Sequence, residues 1–239
     1  MRQAFILFFF FLSGCLLAQE SAAYFIDKGS DKYKKGRYKE AIQLFSRAIE
    51  KDSSASGAYI YRAIAYDASD DFGRALVDFS NARKIDSNDV FVFTERAQTF
   101  LNLNELDAAT LDFQKLLQIN PNGADAADAF YYLGRICFKQ GKFEQAINYY
   151  TRVLKFRSDD PEIFFLRGEA KYFLGDCRSA LKDFDLTLQK DDENGYAYFL
   201  RGNCHLKFGN TVEACKDFKK ALKNDYPEAK VVLKDSCVR

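Results

Sequence analysis

The chain has a single histidine, His205, among its 239 residues. That scarcity excludes histidine-based triads and any metal site that needs two imidazoles. Charge of either sign is not in excess: 35 Lys+Arg stand against 34 Asp+Glu for a net charge of +1, and no basic stripe of the kind nucleic-acid binding requires is present. Among six cysteines no pair has the CxxC spacing of a redox or zinc site, and no glycine-rich phosphate loop occurs. The acidic pairs Asp70-Asp71, Asp159-Asp160 and Asp191-Asp192 fall at turns, where they cap the following helix or solvate the bend. No catalytic constellation is left, and no catalytic residue, cofactor or metal is expected. Hydrophobic residues at 48% and aromatics at 16% exclude a disordered chain and are ample for a continuous core.

What is present is repetition. In the stretch from Phe130 to Val153, the residues Phe130, Leu133, Gly134 and Cys137 share one helical face, Gly141 interrupts, and Phe143, Ala146, Ile147, Tyr150 and Val153 form a second. That pattern predicts an antiparallel helix pair in which Gly134 and Ala146 let the axes approach while Phe130, Phe143 and Tyr150 fill the flanks. One hairpin cannot bury both of its faces, so copies must stack on it. Copies recur with a period of about 34 residues, at 22–55, 56–89, 90–123, 127–160, 161–194 and 195–228, the residues Ala124 to Ala126 reading as a longer turn. The eighth position is small (Gly29, Ala63, Ala97, Gly134, Gly168, Gly202) and the twentieth is alanine (Ala41, Ala75, Ala109, Ala146, Ala180, Ala214). The twenty-fourth is aromatic (Phe45, Phe79, Phe113, Tyr150, Phe184, Phe218). These landmarks resemble the tetratricopeptide repeat (TPR) family over almost the whole chain after the N-terminal segment. The resemblance implies an all-α, right-handed superhelical solenoid of six helix hairpins and the role of a partner-binding scaffold. Segment 229–239 reads as a capping helix over the flank of the last repeat.

The repeats carry an internal correlation. Arginine at the seventh position (Arg62, Arg96, Arg167, Arg201) occurs only where aspartate stands at the twenty-third (Asp78, Asp112, Asp183, Asp217), and repeats 1 and 4 have neither. This predicts a salt bridge between the two helices of one repeat. Repeats 2 and 3 lack the turn glycine, so Asp70-Asp71 and Asn104-Glu105 are expected to take over its geometry.

Residues 1–23 have the layout of a secretory signal: Arg2, then the short apolar run from Ala4 to Leu12, then small and polar residues. The expected setting is export to a bacterial periplasm or cell envelope. Leu12-Ser13-Gly14-Cys15 resembles a lipobox that would lipidate Cys15 and anchor the protein, against cleavage near Ala18-Gln19 or Ser21-Ala22-Ala23. Of the five remaining cysteines, Cys215 and Cys237 are the first candidate pair, Cys177 and Cys204 a second, and Cys137 is expected to be a buried thiol.

In the TPR family, the second, fifth, ninth, twelfth and thirteenth positions of each first helix line a concave groove. Carried onto this sequence, the resemblance places Tyr33, Ile64, Phe91, Tyr131, Phe138, Phe165, Tyr172, Phe173, Tyr196 and Phe199 there, an apolar and aromatic surface suited to another protein or peptide. The family's carboxylate clamp is absent, since Ile26 and Ser30 occupy its first-repeat positions. Two functions follow: a non-enzymatic scaffold for an envelope or secreted protein, or a self-assembling envelope protein in which the partner is another copy. No nucleic-acid partner is expected, and membrane contact only through a lipid anchor.

Overall fold

The computed structural model describes residues 21–237; the proposed signal and Cys15 lie outside them, apart from Ser21, Ala22 and Ala23. The chain divides into two compact units, one ending at Pro121 and the other beginning at Asn122. The first holds α1 (Ala22–Lys34), α2 (Tyr38–Lys51), α3 (Ser56–Asp67), α4 (Phe72–Ile85), α5 (Val90–Asn102) and α6 (Leu106–Ile119). The second holds α7 (Ala126–Lys139), α8 (Phe143–Val153), α9 (Pro161–Leu174), α10 (Cys177–Lys190), α11 (Gly195–Lys207), α12 (Thr211–Lys223) and α13 (Ala229–Cys237). All secondary structure of the described residues is helical. Each unit contains three hairpins, and within it the second helix of one hairpin packs on the first helix of the next.

The repeat landmarks have a direct steric meaning. A Cβ built on Gly134 would lie 2.6 Å from Cε1 of Tyr150, one on Gly29 2.5 Å from Phe45, and one on Gly202 2.7 Å from Phe218. The aromatic ring of the second helix therefore lies under the small residue of the first, and the glycines make the notch that admits it. Alanine fills the same position in repeats 2 and 3, where Ala63 and Ala97 are fully buried and Ala63 shares a cluster with Phe79. Tyr150, expected on the flank, therefore sits in the notch itself, whereas Phe143 is half-buried at the side of the hairpin with its ring on Phe138 and Phe173.

Every hairpin turns through one left-handed residue. Gly36, Gly141, Gly175 and Gly209 have φ of 70°, 72°, 92° and 76°, and Asp70 and Asn104 take the same position with φ of 60° and 58°. Asp and Asn tolerate this region because a short polar side chain compensates locally, which is why repeats 2 and 3 dispense with glycine. Asp71 and Asp160 cap the helices that follow, accepting from the amides of Arg74 and Glu162. Asp191 instead ends α10 and accepts from the Glu193 amide. The predicted turn at Ala124 to Ala126 is shorter by one residue, because Ala126 is buried in the first turn of α7.

The predicted ion pairs form within repeats. Each arginine grips its aspartate with two donors: Nε and Nη2 of Arg62 reach Asp78 at 2.6 and 2.8 Å, and those of Arg167 reach Asp183 at 2.9 and 2.7 Å. Arg96 with Asp112 and Arg201 with Asp217 repeat the geometry. The four aspartates are buried. Such two-pronged pairs fix helix orientation, and removing one partner strands a buried charge. A third donor, not anticipated from sequence, reaches back to the preceding hairpin. Nη1 of Arg62 donates to Ser46, that of Arg167 to Thr151 and that of Arg201 to Asp185, at 2.9, 3.3 and 2.7 Å.

In the second unit, α13 packs on α12 with Ala229 fully buried and Val232 and Leu233 against the same core. A disulfide between Cys215 and Cys237 ties the two helices. Cys177 and Cys204 are buried thiols, as is Cys137.

Candidate functional site

The groove positions have different surroundings in the two units. In the first, Tyr33 is half-buried with its ring 5.4 Å from that of Tyr38. Ile64 is half-buried against a core of Ile60, Ala63 and Phe79, and Phe91 is 42% exposed. The surface is not simply apolar. Burial raises the Tyr33 phenol above its ordinary pKa, and the charges of Tyr38, Glu95 and Asp67 push it the same way. Burial likewise raises the Glu95 carboxyl, with Asp67 adding to it. Asn102 donates to Asp67 at 3.3 Å. The Tyr33 phenol thus feels two carboxylates from successive hairpins. Sequence reasoning missed them because Glu95 and Asp67 occupy different repeat positions and meet only through packing.

In the second unit the aromatic positions do converge. Phe138, Phe143 and Phe173 form a triangle with centroids 5.5, 5.6 and 5.7 Å apart, and Tyr172 meets Phe173 edge to face at 5.4 Å. A second group links Phe165 to Tyr196 at 5.7 Å, Tyr196 to Tyr226 at 5.2 Å and Tyr226 to Phe199 at 4.9 Å. Tyr131 packs on Tyr132 and donates to Glu162 at 2.8 Å. Phe173 is 48% exposed, and Tyr131, Phe138, Phe165, Tyr172, Tyr196 and Phe199 are half-buried. Phe143 and Tyr226 were not among the groove positions. Tyr226, in the segment before the cap helix, covers the far end of the row.

Polar groups are set among these rings. Burial raises the Glu169 carboxyl above its usual range, and the neighbouring Tyr196 phenol draws it back. The Tyr196 phenol is pushed well up, first by burial and then by the Glu169 charge and hydrogen bond. Burial raises the Tyr172 phenol, and the neighbouring Asn203 amide draws it back. Ring faces, phenols, one carboxylate and one amide suit the recognition of a chain with apolar side chains and free backbone donors. They do not supply a nucleophile with an adjacent base. His205 lies instead beside the structural ion pair, its Nε2 4.0 Å from Asp217, with Nδ1 buried and unpartnered among the described residues. No group of three or more His, Cys, Asp or Glu among the described residues could hold a metal ion. No helix among them is long and apolar enough to cross a membrane.

Profiles described as tetratricopeptide repeat match residues 26–89 and 165–229, another of that description matches 92–122, and one described as TPR repeat matches 134–175. Serine/threonine-protein phosphatase 5 of Rattus norvegicus is 31% identical over 120 residues, which is 50% of this chain and 24% of that protein. The chain thus spans about a quarter of that relative's length. Among solved structures, YrrB, described as a TPR protein with an unusual peptide-binding site, is similar with a TM-score of 0.71 and 23% identity, over 80% of this chain and 97% of that one. PilF of Pseudomonas aeruginosa is similar with a TM-score of 0.70 and 17% identity, over 88% and 96%.

Proposed function

The chain belongs to the tetratricopeptide repeat family, and on that premise we propose that it is a non-enzymatic scaffold holding a peptide segment of another protein against the aromatic face of its second unit. The observation that carries this reading is the continuity of the rings. Three first helices, α7, α9 and α11, contribute rings that touch from hairpin to hairpin yet stay half-exposed, and Phe173 is 48% exposed. Aromatic surface held rigid by its neighbours binds with little loss of side-chain freedom. The peptide-binding site described for YrrB is consistent with this use of the fold.

The setting we propose is the bacterial envelope, reached through the N-terminal signal, with Cys15 lipidated or removed. Ser21 caps α1 by accepting from the Tyr24 amide at 3.2 Å, so a cut before Ser21 preserves that helix start and a cut after Ala23 removes it.

The deciding experiment is affinity capture from native extract of the source cells, comparing wild type with a Phe138→Ser, Phe173→Ser variant shown by circular dichroism to be folded. A protein held by wild type and lost by the variant supports the reading. Equal capture by both, or capture by neither, counts against it. Self-assembly is favoured by a separate observation. Val77 and Leu111, at the same position of successive hairpins in the first unit, are 60% and 67% exposed. Sedimentation at increasing concentration tests this alternative, with a mass that rises in wild type and stays monomeric in Val77→Lys, Leu111→Lys.

A further inference from the structure

Cys177 is the first residue of α10 and Cys204 lies toward the end of α11. These helices belong to neighbouring hairpins and pack on each other. Lys207, three residues after Cys204, donates Nζ to the Gly175 carbonyl, two residues before Cys177, at 3.1 Å. That bond pins the end of α11 to the turn that starts α10. Between these ends the two cysteine side chains lie near each other, close enough for the Cys177 thiol to act on that of Cys204. They are 4% and 0% exposed, in one apolar cluster. Cys137 is differently placed, donating to Gln145 in its own hairpin at 3.6 Å.

We infer that Cys177 and Cys204 are the two halves of a second disulfide, formed under the conditions that close Cys215–Cys237. The first bridge ties α12 to α13, and this one ties α10 to α11. The oxidant is a disulfide, either a small molecule or a thiol oxidoreductase. One cysteine thiolate attacks its S–S bond and expels one thiol, and the second cysteine displaces the other from the mixed disulfide. Two protein thiols give up two electrons and two protons, and the oxidant's disulfide becomes two thiols. Burial raises the Cys204 thiol, with the neighbouring Cys177 thiol next, so the exchange belongs to folding, before the seam between α10 and α11 closes over the sulfurs. Once closed, the bridge holds the seam beside Tyr172, whose phenol feels both thiols. The cysteines after residue 23 then resolve into two bridges and one thiol, Cys137.

The test is to fold the full chain in a mixture of oxidised and reduced glutathione, alkylate it while denatured, digest it without reduction and analyse it by mass spectrometry. The expected result is a linked pair of peptides carrying Cys177 and Cys204, lighter than their sum by two hydrogens, with Cys137 alkylated and Cys215 linked to Cys237. The same Cys177–Cys204 link is expected in a Cys215→Ser, Cys237→Ser variant. Alkylation of both Cys177 and Cys204 in molecules whose Cys215–Cys237 bridge is intact overturns the assignment, as does a link from either to Cys137.

Discussion

The two units share a skeleton and differ in what they display. In both, a small residue on each first helix receives a ring from the second, and two hairpins are locked by a buried arginine–aspartate pair. In the first unit the charges of Glu95 and Asp67 bear on Tyr33, whereas the second packs Phe138, Phe143, Phe173 and Tyr172 ring on ring and adds a disulfide-bound cap. Residues that define the hairpin are therefore separate from those that define its surface, and one can vary without the other.

The most severe way to break the comparison is to attack what the units share. Asp78→Ala in the first and Asp183→Ala in the second each leave an arginine without its buried partner, and each is expected to lower stability by about 3 to 5 kcal/mol in urea denaturation. A loss in one unit only would show that the skeleton is not common to both. Next in size is the notch. Gly134→Ala places a Cβ against Tyr150 and is expected to cost about 1 to 3 kcal/mol. At the same repeat position Ala63→Gly is expected to cost about 1 to 2 kcal/mol, from helix propensity and the loss of a buried methyl.

The surface differences are sharpened by smaller effects. Phe173→Ser is expected to weaken binding of a captured partner by about tenfold or more, roughly 1.4 kcal/mol, while Phe91→Ser leaves it unchanged by titration calorimetry. Equal effects would place recognition on both units or on neither. Least in size is the pH response of Glu95. Its folded pKa is raised, so the folded state holds the proton more tightly, and stability falls as pH rises through the ordinary glutamate value and on through the folded one. Glu95→Gln is therefore expected to raise the urea midpoint at neutral pH and to lose that advantage in acid, below the unfolded value.

The skeleton was legible in the sequence because it is periodic. The small, alanine and aromatic landmarks repeat at fixed positions, and the joint presence of arginine and aspartate reported a contact between residues that meet across one hairpin. The surface was legible only in part. Phe143 reads as a core residue from its helical phase, yet its place at the start of α8 turns it toward Phe138 and Phe173. Tyr226 lies outside the repeat grid and covers Tyr196 and Phe199 from the chain's exit toward the cap. Contacts of this kind depend on how hairpins sit on each other, which a position within one repeat does not encode.

The reach of the arginines bears on the period of the chain. Arg62 and Arg167 each extend a third hydrogen bond to the hairpin before, and that hairpin, the first of its unit, has no arginine and aspartate at the seventh and twenty-third positions. Each unit is an opener without this pair, followed by two hairpins that have it. The pattern of pairs thus recurs after three hairpins rather than after one, unpaired, paired, paired, in both units. The ion pairs therefore have a longer period than the fold that carries them, about 100 residues against about 34.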